Sequence, residues 1–197
     1  MRKLIIVTFL IACSACLSLA QTPEDYPKNE FFAGYSYHNA DINSLTIDPH
    51  RTSQNGVNLA YTRSLTRNIR FTGDVSAHFK RFSQQTGGGV FESKRDQYYF
   101  LGGVQYTTHH KNPVTPFVHA LFGASLFRGF TSNRTPPGNI FTFDDATSFA
   151  MALGGGLDVR ANDRISIRIV QADYTPTFFG PGRQDNIRLS FGIVFKR

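Results

Sequence analysis

The feature that most constrains the fold of this chain is a strict alternation of apolar and polar side chains. The segment 69–80 reads IRFTGDVSAHFK, and the segment 186–195 reads NIRLSFGIVF. Because neighbouring side chains of a β-strand point to opposite faces, each segment predicts a strand with one apolar face and one polar face. After the first twenty residues, no apolar run is long enough for a membrane helix, which needs about 20 residues.

The lengths of the connections between predicted strands alternate as well. The pattern predicts eight strands, at about 30–38, 55–65, 69–82, 95–108, 114–128, 146–160, 163–174 and 185–196. Short turns join them at 66–68, 109–113 and 161–162, and long loops at 39–54, 83–94, 129–145 and 175–184. Short turns at one end and long loops at the other are typical of a membrane barrel. We therefore predict an all-β fold, an eight-stranded antiparallel up-and-down transmembrane β-barrel. A soluble all-β domain with an aromatic core is the alternative.

The seventh predicted strand departs from simple alternation. Ile165, Ile167 and Ile169 share one face, but Gln171 and Asp173 then fall on the same parity. Two interpretations stay open: a β-bulge near Val170 reverses the phase, or the strand leaves the apolar zone there.

The N-terminal segment has the pattern of a secretory signal peptide. Arg2 and Lys3 precede the apolar run 4–12, and small residues follow up to Ala20. We predict cleavage after Ala20, which divides the chain into a signal peptide at 1–20 and one barrel domain at 21–197. An alternative is a lipoprotein processing site at 10–13, which would leave Cys13 as a lipidated N-terminus.

Charge and cysteine content narrow the classes of partner. Cys13 and Cys16 both lie in the signal segment, so a chain cut after Ala20 has no disulfide or thiol chemistry. It would keep 19 basic and 14 acidic residues, a formal net charge of +5. The charges alternate in sign along the chain, whereas a nucleic-acid platform needs a basic face with interleaved aromatic residues. Anionic lipid head groups are the expected partners, and nucleic acid is not.

The polar faces of the predicted strands define a candidate site inside the barrel. An eight-stranded barrel is just wide enough for side chains to fill its interior, and buried charges must be paired or solvated. We predict an internal network of ion pairs and water, with no open channel, and glycines at 103, 123, 154, 156 and 192 that leave room for long side chains. Its predicted charged members are Arg70, Asp74, His78, Lys80, Asp158, Arg160, Arg168 and Arg188, with His119 on the same face.

The sequence also contains residues that could suggest a serine-hydrolase site or a metal site. Asp74, Ser76 and His78 share one face of the third strand, a set that would suit a serine hydrolase if the side chains met. Interior ion pairing is the preferred interpretation. His109 and His110 have no carboxylate or cysteine at ligand spacing, so a metal site is not predicted. We expect no enzymatic activity, no cofactor and no metal.

With these strands and loops, the chain resembles the small outer-membrane β-barrel family typified by the OmpA transmembrane domain and OmpX, grouped with the porin family. The resemblance covers nearly all of 21–197 and rests on topology. Its most specific local match is the final strand, Asn186 to Phe195, which is similar to the terminal strand read by the barrel-assembly machinery; here Lys196 and Arg197 follow it. The resemblance implies that the protein lies in the outer membrane with both chain ends in the periplasm.

The expected function follows from the resemblance and the filled interior. We predict an integral outer-membrane protein with a structural or surface-contact, adhesion-like role and no open pore. The alternatives are a narrow porin for small solutes and a barrel enzyme that modifies lipid A. Expected partners are outer-membrane lipids, lipopolysaccharide and the barrel-assembly machinery, while the ligand of the long loops stays open.

Overall fold

The part of the chain that the structure describes forms eight long strands and three short ones. The computed structural model describes residues 26–41, 51–86, 89–108, 113–133, 140–142, 145–179 and 182–197. The long strands are β1 Asn29–Asp41, β2 Arg51–Ser64, β3 Ile69–Thr86, β4 Gly89–Thr107, β5 Val114–Asn133, β7 Ala146–Arg160, β8 Ile165–Tyr174 and β11 Ile187–Lys196. The short strands are β6 Ile140–Thr142, β9 Thr177–Phe179 and β10 Gly182–Gln184.

The eight long strands close into one antiparallel barrel. Each pairs with its neighbour along the chain, β5 pairs with β7, and β11 returns to pair with β1 from Glu30–Lys196 to Asn39–Ile187. This closure confirms the predicted up-and-down barrel. Among the described residues, no helix is long and apolar enough to cross a membrane. The predicted signal peptide at 1–20 lies outside the described residues and stays a prediction.

The two ends of the barrel differ in their connections. The short-turn end carries the turns at 65–68 and 161–164 together with Asn29 and Lys196. Side chains close these turns: the Ile69 amide donates to Thr66 Oγ1 at 3.0 Å, and Asn162 Oδ1 accepts from the amides of Arg164 and Ile165. The predicted turn at 109–113 falls mostly outside the described residues. The opposite end, where β3 meets β4 and β8 meets β9, is called the long-loop end.

One of the predicted long loops consists of paired strands instead. The segment 83–94 is not a loop, because β3 and β4 stay paired as far as Thr86–Gly89. β5 likewise extends to Asn133 and pairs with β4 and β6. The prediction failed because it required an apolar face for each strand. The pairing of β3 with β4 is made by backbone groups, and it continues beyond the segment in which apolar and polar residues alternate.

A β-bulge explains the phase reversal in β8. Gln171 pairs with Ser190 and Arg168 pairs with Gly192, so Phe191 faces two residues, Ile169 and Val170. Both of these side chains are exposed on the outside, whereas Arg168 and Gln171 are buried on either side of them. Of the two interpretations left open by the sequence, the structure therefore shows the bulge. The extra residue turns Gln171 and Asp173 into the interior.

The barrel is apolar outside and polar inside. Roughly half-exposed apolar side chains cover its outer face, among them Leu59, Phe71, Val75, Phe100, Val104, Val118, Phe122, Ile167, Ile169, Phe191 and Ile193. On β5 the outward positions stay apolar from Val114 to Leu126, after which Arg128 follows. At about 3.3 Å per residue and a tilt of about 40°, this run rises about 30 Å, which matches the hydrocarbon thickness of a bilayer. Soluble monomers rarely expose so large an apolar surface.

Aromatic pairs lie on the outer face across neighbouring strands. The rings of Phe31 and Tyr61 are 4.9 Å apart near the short-turn end, where the Tyr61 hydroxyl donates to Asn29 Oδ1 at 2.8 Å. Phe79 and Tyr98 are 6.0 Å apart towards the long-loop end. Rings with one apolar and one polar side suit the two edges of a bilayer.

Candidate functional site in the barrel interior

The structure places most of the predicted interior charges inside the barrel. Arg70, Asp74, His78, Asp158, Arg168 and Arg188 are buried, and so is His119. Lys80 is only half-buried near the long-loop end, opposite Arg95 on β4. Arg160 corrects the prediction, because its side chain is exposed at the short-turn end. Alternation assigns it inwards, and its backbone still pairs with Ser166, but it is the last residue of β7 and its side chain lies at the end of the barrel.

Arg188 is the centre of the interior network. From β11 its guanidinium group reaches across β1 and β2 to Asp74 on β3, at 2.6 Å, and it also donates to Asp173 on β8 at 2.8 and 3.0 Å. It donates further to Ser76 Oγ at 2.9 Å, and Asn58 donates to the other oxygen of Asp74 at 2.7 Å. All these side chains are fully buried. Arg188 and its two carboxylates thus each contact a group of opposite charge directly.

The network continues from Asp173 towards the short-turn end. Gln171 donates to Asp173 at 2.7 Å and accepts from Arg168 at 2.6 Å, and Arg168 makes a two-bonded ion pair with Asp158. His119 on β5 meets the second oxygen of Asp173 at 2.8 Å. Neighbouring polar groups therefore share partners in one continuous network, which makes the interior rigid.

Aromatic rings hold Arg168 in place. Its guanidinium carbon lies 4.4 Å from the ring centre of Phe32 on β1 and 4.3 Å from that of Phe117 on β5. Both rings are buried, so the cation–π attraction acts away from water, where it is worth about 2 kcal/mol per contact. The stacked group bridges strands on opposite sides of the barrel and fills the lumen at that level.

Two further clusters occupy the interior on either side of this network. Nearer the short-turn end, Arg70 on β3 pairs with Glu30 on β1 at 2.5 Å. Nearer the long-loop end, the ring centres of His38 and His78 are 4.7 Å apart, and the Tyr99 hydroxyl is 3.0 Å from His38 Nε2. Tyr99 is fully buried and also accepts a hydrogen bond from Gln97 at 2.8 Å. Side chains therefore fill the lumen at each of three levels.

Glycine is required where the wall approaches the network. A Cβ atom on Gly154 would come within 2.3 Å of Asp173 Oδ1, and one on Gly156 within 2.8 Å of the Phe117 ring. By contrast, a Cβ on the outward-facing Gly73 would meet nothing within 4 Å. Gly154 and Gly156, predicted to leave interior room, thus lie against the ionic network and its aromatic support.

The residues that could suggest a serine hydrolase do not form a catalytic set. Ser76 accepts from Arg188, and Asp74 bonds Asn58 and Arg188. His78 Nε2 lies 2.8 Å from Ser36 Oγ, and its Nδ1 contacts no carboxylate among the described residues. A serine hydrolase needs an acid that orients the histidine. That the protein is not an enzyme stays a prediction.

No metal site was predicted, and the structure describes only some of the residues that could form one. His109 and His110 lie outside the described residues. Within the described ranges, no three His, Cys, Asp or Glu side chains come together in a way that could hold a metal ion. The prediction of no metal is therefore not tested at the histidine pair.

Several network members were not identified from the sequence. Asp173 and Gln171 depend on the bulge, which the sequence left undecided. Glu30 and Phe32 lie on β1. The apolar residues at the start of this strand occupy both even and odd positions, so the sequence does not show which face points inwards. The sequence could have identified Asp173, because a β-bulge in the seventh predicted strand assigns this residue to the interior.

The outer rim at the long-loop end carries three cations, two of which are paired with carboxylates. Arg81, Lys94 and Arg128 point outwards on β3, β4 and β5 just beyond the apolar band, with Asp96 3.1 Å from Lys94 and Asp145 3.2 Å from Arg128. These three cations are called the rim cluster. They lie where the head groups of a bilayer would meet the barrel.

A second charged group lies across the same rim. Asp185, between β10 and β11, accepts from the Tyr174 hydroxyl and pairs with Arg183 at 3.0 Å. The hydroxyl bond, followed by the charge of Arg183, holds the pKa of Asp185 below its ordinary value. Arg51 donates to the backbone oxygen of Asp185 at 3.2 Å, which joins β2 to this corner. These contacts fix the connection between β10 and β11.

Comparison with known proteins supports the fold through structure alone. No protein-family model matches the chain, and no curated protein sequence matches it. Ail, the attachment invasion locus protein of Yersinia pestis, solved in complex with the heparin analogue sucrose octasulfate, is 15% identical with a TM-score of 0.58, over 86% of this chain and 99% of that one. Neisserial surface protein A is 13% identical with a TM-score of 0.59, over 88% and 100%. The outer membrane protein OprG from Pseudomonas aeruginosa is 12% identical with a TM-score of 0.50, over 87% and 97%.

Proposed function

We propose, from the premise that this chain has the fold of the small outer-membrane β-barrels, that it is an integral outer-membrane protein with a structural or surface-contact role and no open pore. The short-turn end then faces the periplasm and the long-loop end faces the outside. The observation that carries the proposal is the filled interior. Arg188, Tyr99, Leu121, His38 and His78 are all fully buried in a lumen that a conducting barrel would leave open.

The outer face supports the membrane location. In hydrocarbon all backbone groups must be bonded within the protein, and the closed barrel satisfies this condition. The apolar outward run from Val114 to Leu126 is long enough to span. The long strands beyond it, from β3 to β5, raise a wall above the bilayer that would carry a contact surface.

Conductance in planar lipid bilayers tests the absence of a pore. We expect no steady open level from the wild-type protein, because the interior ion pairs and aromatic rings leave no continuous water path. A porin of known conductance, inserted in the same bilayer, serves as the positive control. A large and lasting single-channel level would contradict the proposal and favour the narrow small-solute porin.

The rim cluster suggests what the outer surface contacts. Arg81, Lys94 and Arg128 stand just above the apolar band, at the level of the phosphate groups of the outer leaflet. Lys80 and Arg95 add positive charge on the inner side of the same wall. In a Gram-negative envelope, the anion at that level is lipopolysaccharide. The Ail structure contains a sulfated polyanion, and we propose a polyanionic partner for this wall too.

Removing two rim cations should weaken the contact with lipopolysaccharide. In dodecyl maltoside, we expect added lipopolysaccharide to raise the Tm of the wild-type barrel. The rise should be clearly smaller for the Arg81→Gln/Lys94→Gln variant, because charge-assisted phosphate contacts are lost. The matched control is Arg63→Gln/Arg67→Gln, which removes two cations at the other end of the barrel. Equal rises in all three proteins would contradict the assignment.

A further inference from the structure

A basic pocket opens at the short-turn end of the barrel. Its volume is about 720 Å³, which lies within the range of about 300–1,000 Å³ for ligand pockets. The residues that line it are Tyr26, Pro27, Arg160, Asp163, Arg164, Lys196 and Arg197. It is therefore built from the turn between β7 and β8, the end of β11 and the segment that precedes β1.

The charges of this pocket are unbalanced. The lining contributes four cations, Arg160, Arg164, Lys196 and Arg197, and one acidic side chain, Asp163. Glu30 and Asp158 also attract Lys196, but each of them is paired with another arginine, Arg70 or Arg168. Within the described part of the chain, none of the four cations forms an ion pair with an acidic side chain. Like charges gathered around one opening repel each other, so this opening favours an anion.

The backbone around the pocket is fixed by hydrogen bonds. The Lys196 amide donates to the Arg164 oxygen at 2.8 Å, and the Arg160 amide donates to the Pro113 oxygen at 2.8 Å. The Arg164 amide is held by Asn162 Oδ1 at 2.9 Å. These bonds hold Arg160, Arg164 and Lys196 around one opening, so ligand binding would not need to order their backbone.

We infer that this pocket binds a phosphate group. Three of its four cations are arginines, whose planar guanidinium group can bind two oxygens of one phosphate, a geometry that single-point cations lack. The outward side chains next to it, Ile165 and Phe195, belong to the apolar face. The pocket thus opens beside the edge of the bilayer, where phospholipid phosphates lie. The orientation rests on the proposed outer-membrane function.

The source of the phosphate is either a phospholipid head group of the inner leaflet or a soluble phosphate in the periplasm. Dihexanoyl-phosphatidylglycerol and inorganic phosphate separate these sources, because the lipid adds two acyl chains that can lie on Ile165 and Phe195. Dihexanoyl-phosphatidylcholine carries the same phosphate with a compensating cation. Acetate tests whether any anion suffices.

The test is a binding titration of the folded, full barrel in dodecyl maltoside, followed by NMR chemical shifts. We expect saturable binding of dihexanoyl-phosphatidylglycerol, inorganic phosphate or both. The Arg160→Gln/Arg164→Gln variant should bind about tenfold more weakly, because two charge-assisted contacts are lost. The Arg63→Gln/Arg67→Gln variant carries the same change in charge at the same end but outside the pocket, and its affinity should be unchanged.

The outcomes separate this inference from the proposed function. Tight binding of the phosphatidylglycerol alone supports a membrane source, and equal binding of inorganic phosphate supports a soluble one. Binding of acetate or phosphatidylcholine as tight as that of phosphatidylglycerol, or equal weakening in both variants, would overturn the phosphate site. No binding by a protein that keeps the gel mobility of a folded barrel before heating would overturn the site alone. A protein that shows no heat-dependent mobility would overturn the membrane barrel itself.

Discussion

Replacing Arg188 with methionine is expected to lower the free energy of unfolding by about 3–5 kcal/mol. The substitution leaves Asp74 and Asp173 buried without the cation that contacts both. Methionine has a similar length and no charge, so the loss arises from the two unpaired carboxylates rather than from a cavity. Urea titration of the protein folded in phospholipid vesicles measures the change.

Two comparisons show whether the loss comes from the interior charge. Arg183→Met removes a cation that is 59% exposed at the rim and pairs with Asp185, and it should change the free energy of unfolding far less, because solvent screens an exposed ion pair. The triple variant Arg188→Met/Asp74→Asn/Asp173→Asn should recover a large part of the stability, since no buried charge then lacks a partner. If Arg188→Met and Arg183→Met lose the same amount, the central network does not stabilise the barrel.

Replacing Phe122 with arginine is expected to cost about 2–4 kcal/mol in phospholipid vesicles. Phe122 is 47% exposed and lies near the middle of the apolar run of β5, where hydrocarbon would surround it. An arginine there must carry its charge into the bilayer or distort the lipid around it. The same urea titration gives the change in unfolding free energy.

This substitution separates the membrane barrel from a soluble one. In a water-soluble protein a half-exposed surface position accepts arginine within about 0.5 kcal/mol. Phe122→Leu is the matched control, which keeps the position apolar and should cost less than about 1 kcal/mol. If the arginine and leucine variants are equally stable, water rather than lipid covers this face, and the proposed location is wrong.

A filled lumen and an apolar exterior together support the proposed role at the surfaces of the barrel. The interior residues that meet across the lumen, such as Arg188 with Asp74 and Arg168 with Phe32, hold the wall rigid. Contacts with other molecules would then be made at the two ends of the barrel. The rim cluster would face lipopolysaccharide, and the basic pocket would face phosphate on the periplasmic side.

Much of the fold could be predicted from local pattern. The alternation in 69–80 and 186–195 identified β3 and β11 together with their apolar and polar faces, because a strand has a period of two residues. The alternating connection lengths indicated the up-and-down order and the outward position of the apolar faces. The same reasoning failed for 83–94, where β3 and β4 stay paired although the sequence no longer alternates.

The sequence predicted the kind of site, a network of charges inside the barrel, better than it predicted the individual members. Alternation places Arg70, Asp74, His78, Asp158, Arg168 and Arg188 in the interior, where the structure also has them. It placed Arg160 there too, although that side chain is exposed at the end of β7. Parity along a strand states which face a residue takes, but it does not state how near the end of the barrel the residue lies.

The sequence by itself determined the eight long strands and the apolar and polar faces of most of them, because alternation depends only on neighbouring residues along one strand. That the apolar face lies outside was an expectation drawn from the connection lengths, and the closed barrel confirms it. Only the tertiary structure decided which polar side chains meet. Arg188 and Asp74 are 114 positions apart, and β11 approaches β3 only when the barrel closes on β1. The register of that closure and the bulge at Ile169 and Val170 set these contacts, since a shift of one residue along a strand would turn its interior side chains to the outer face.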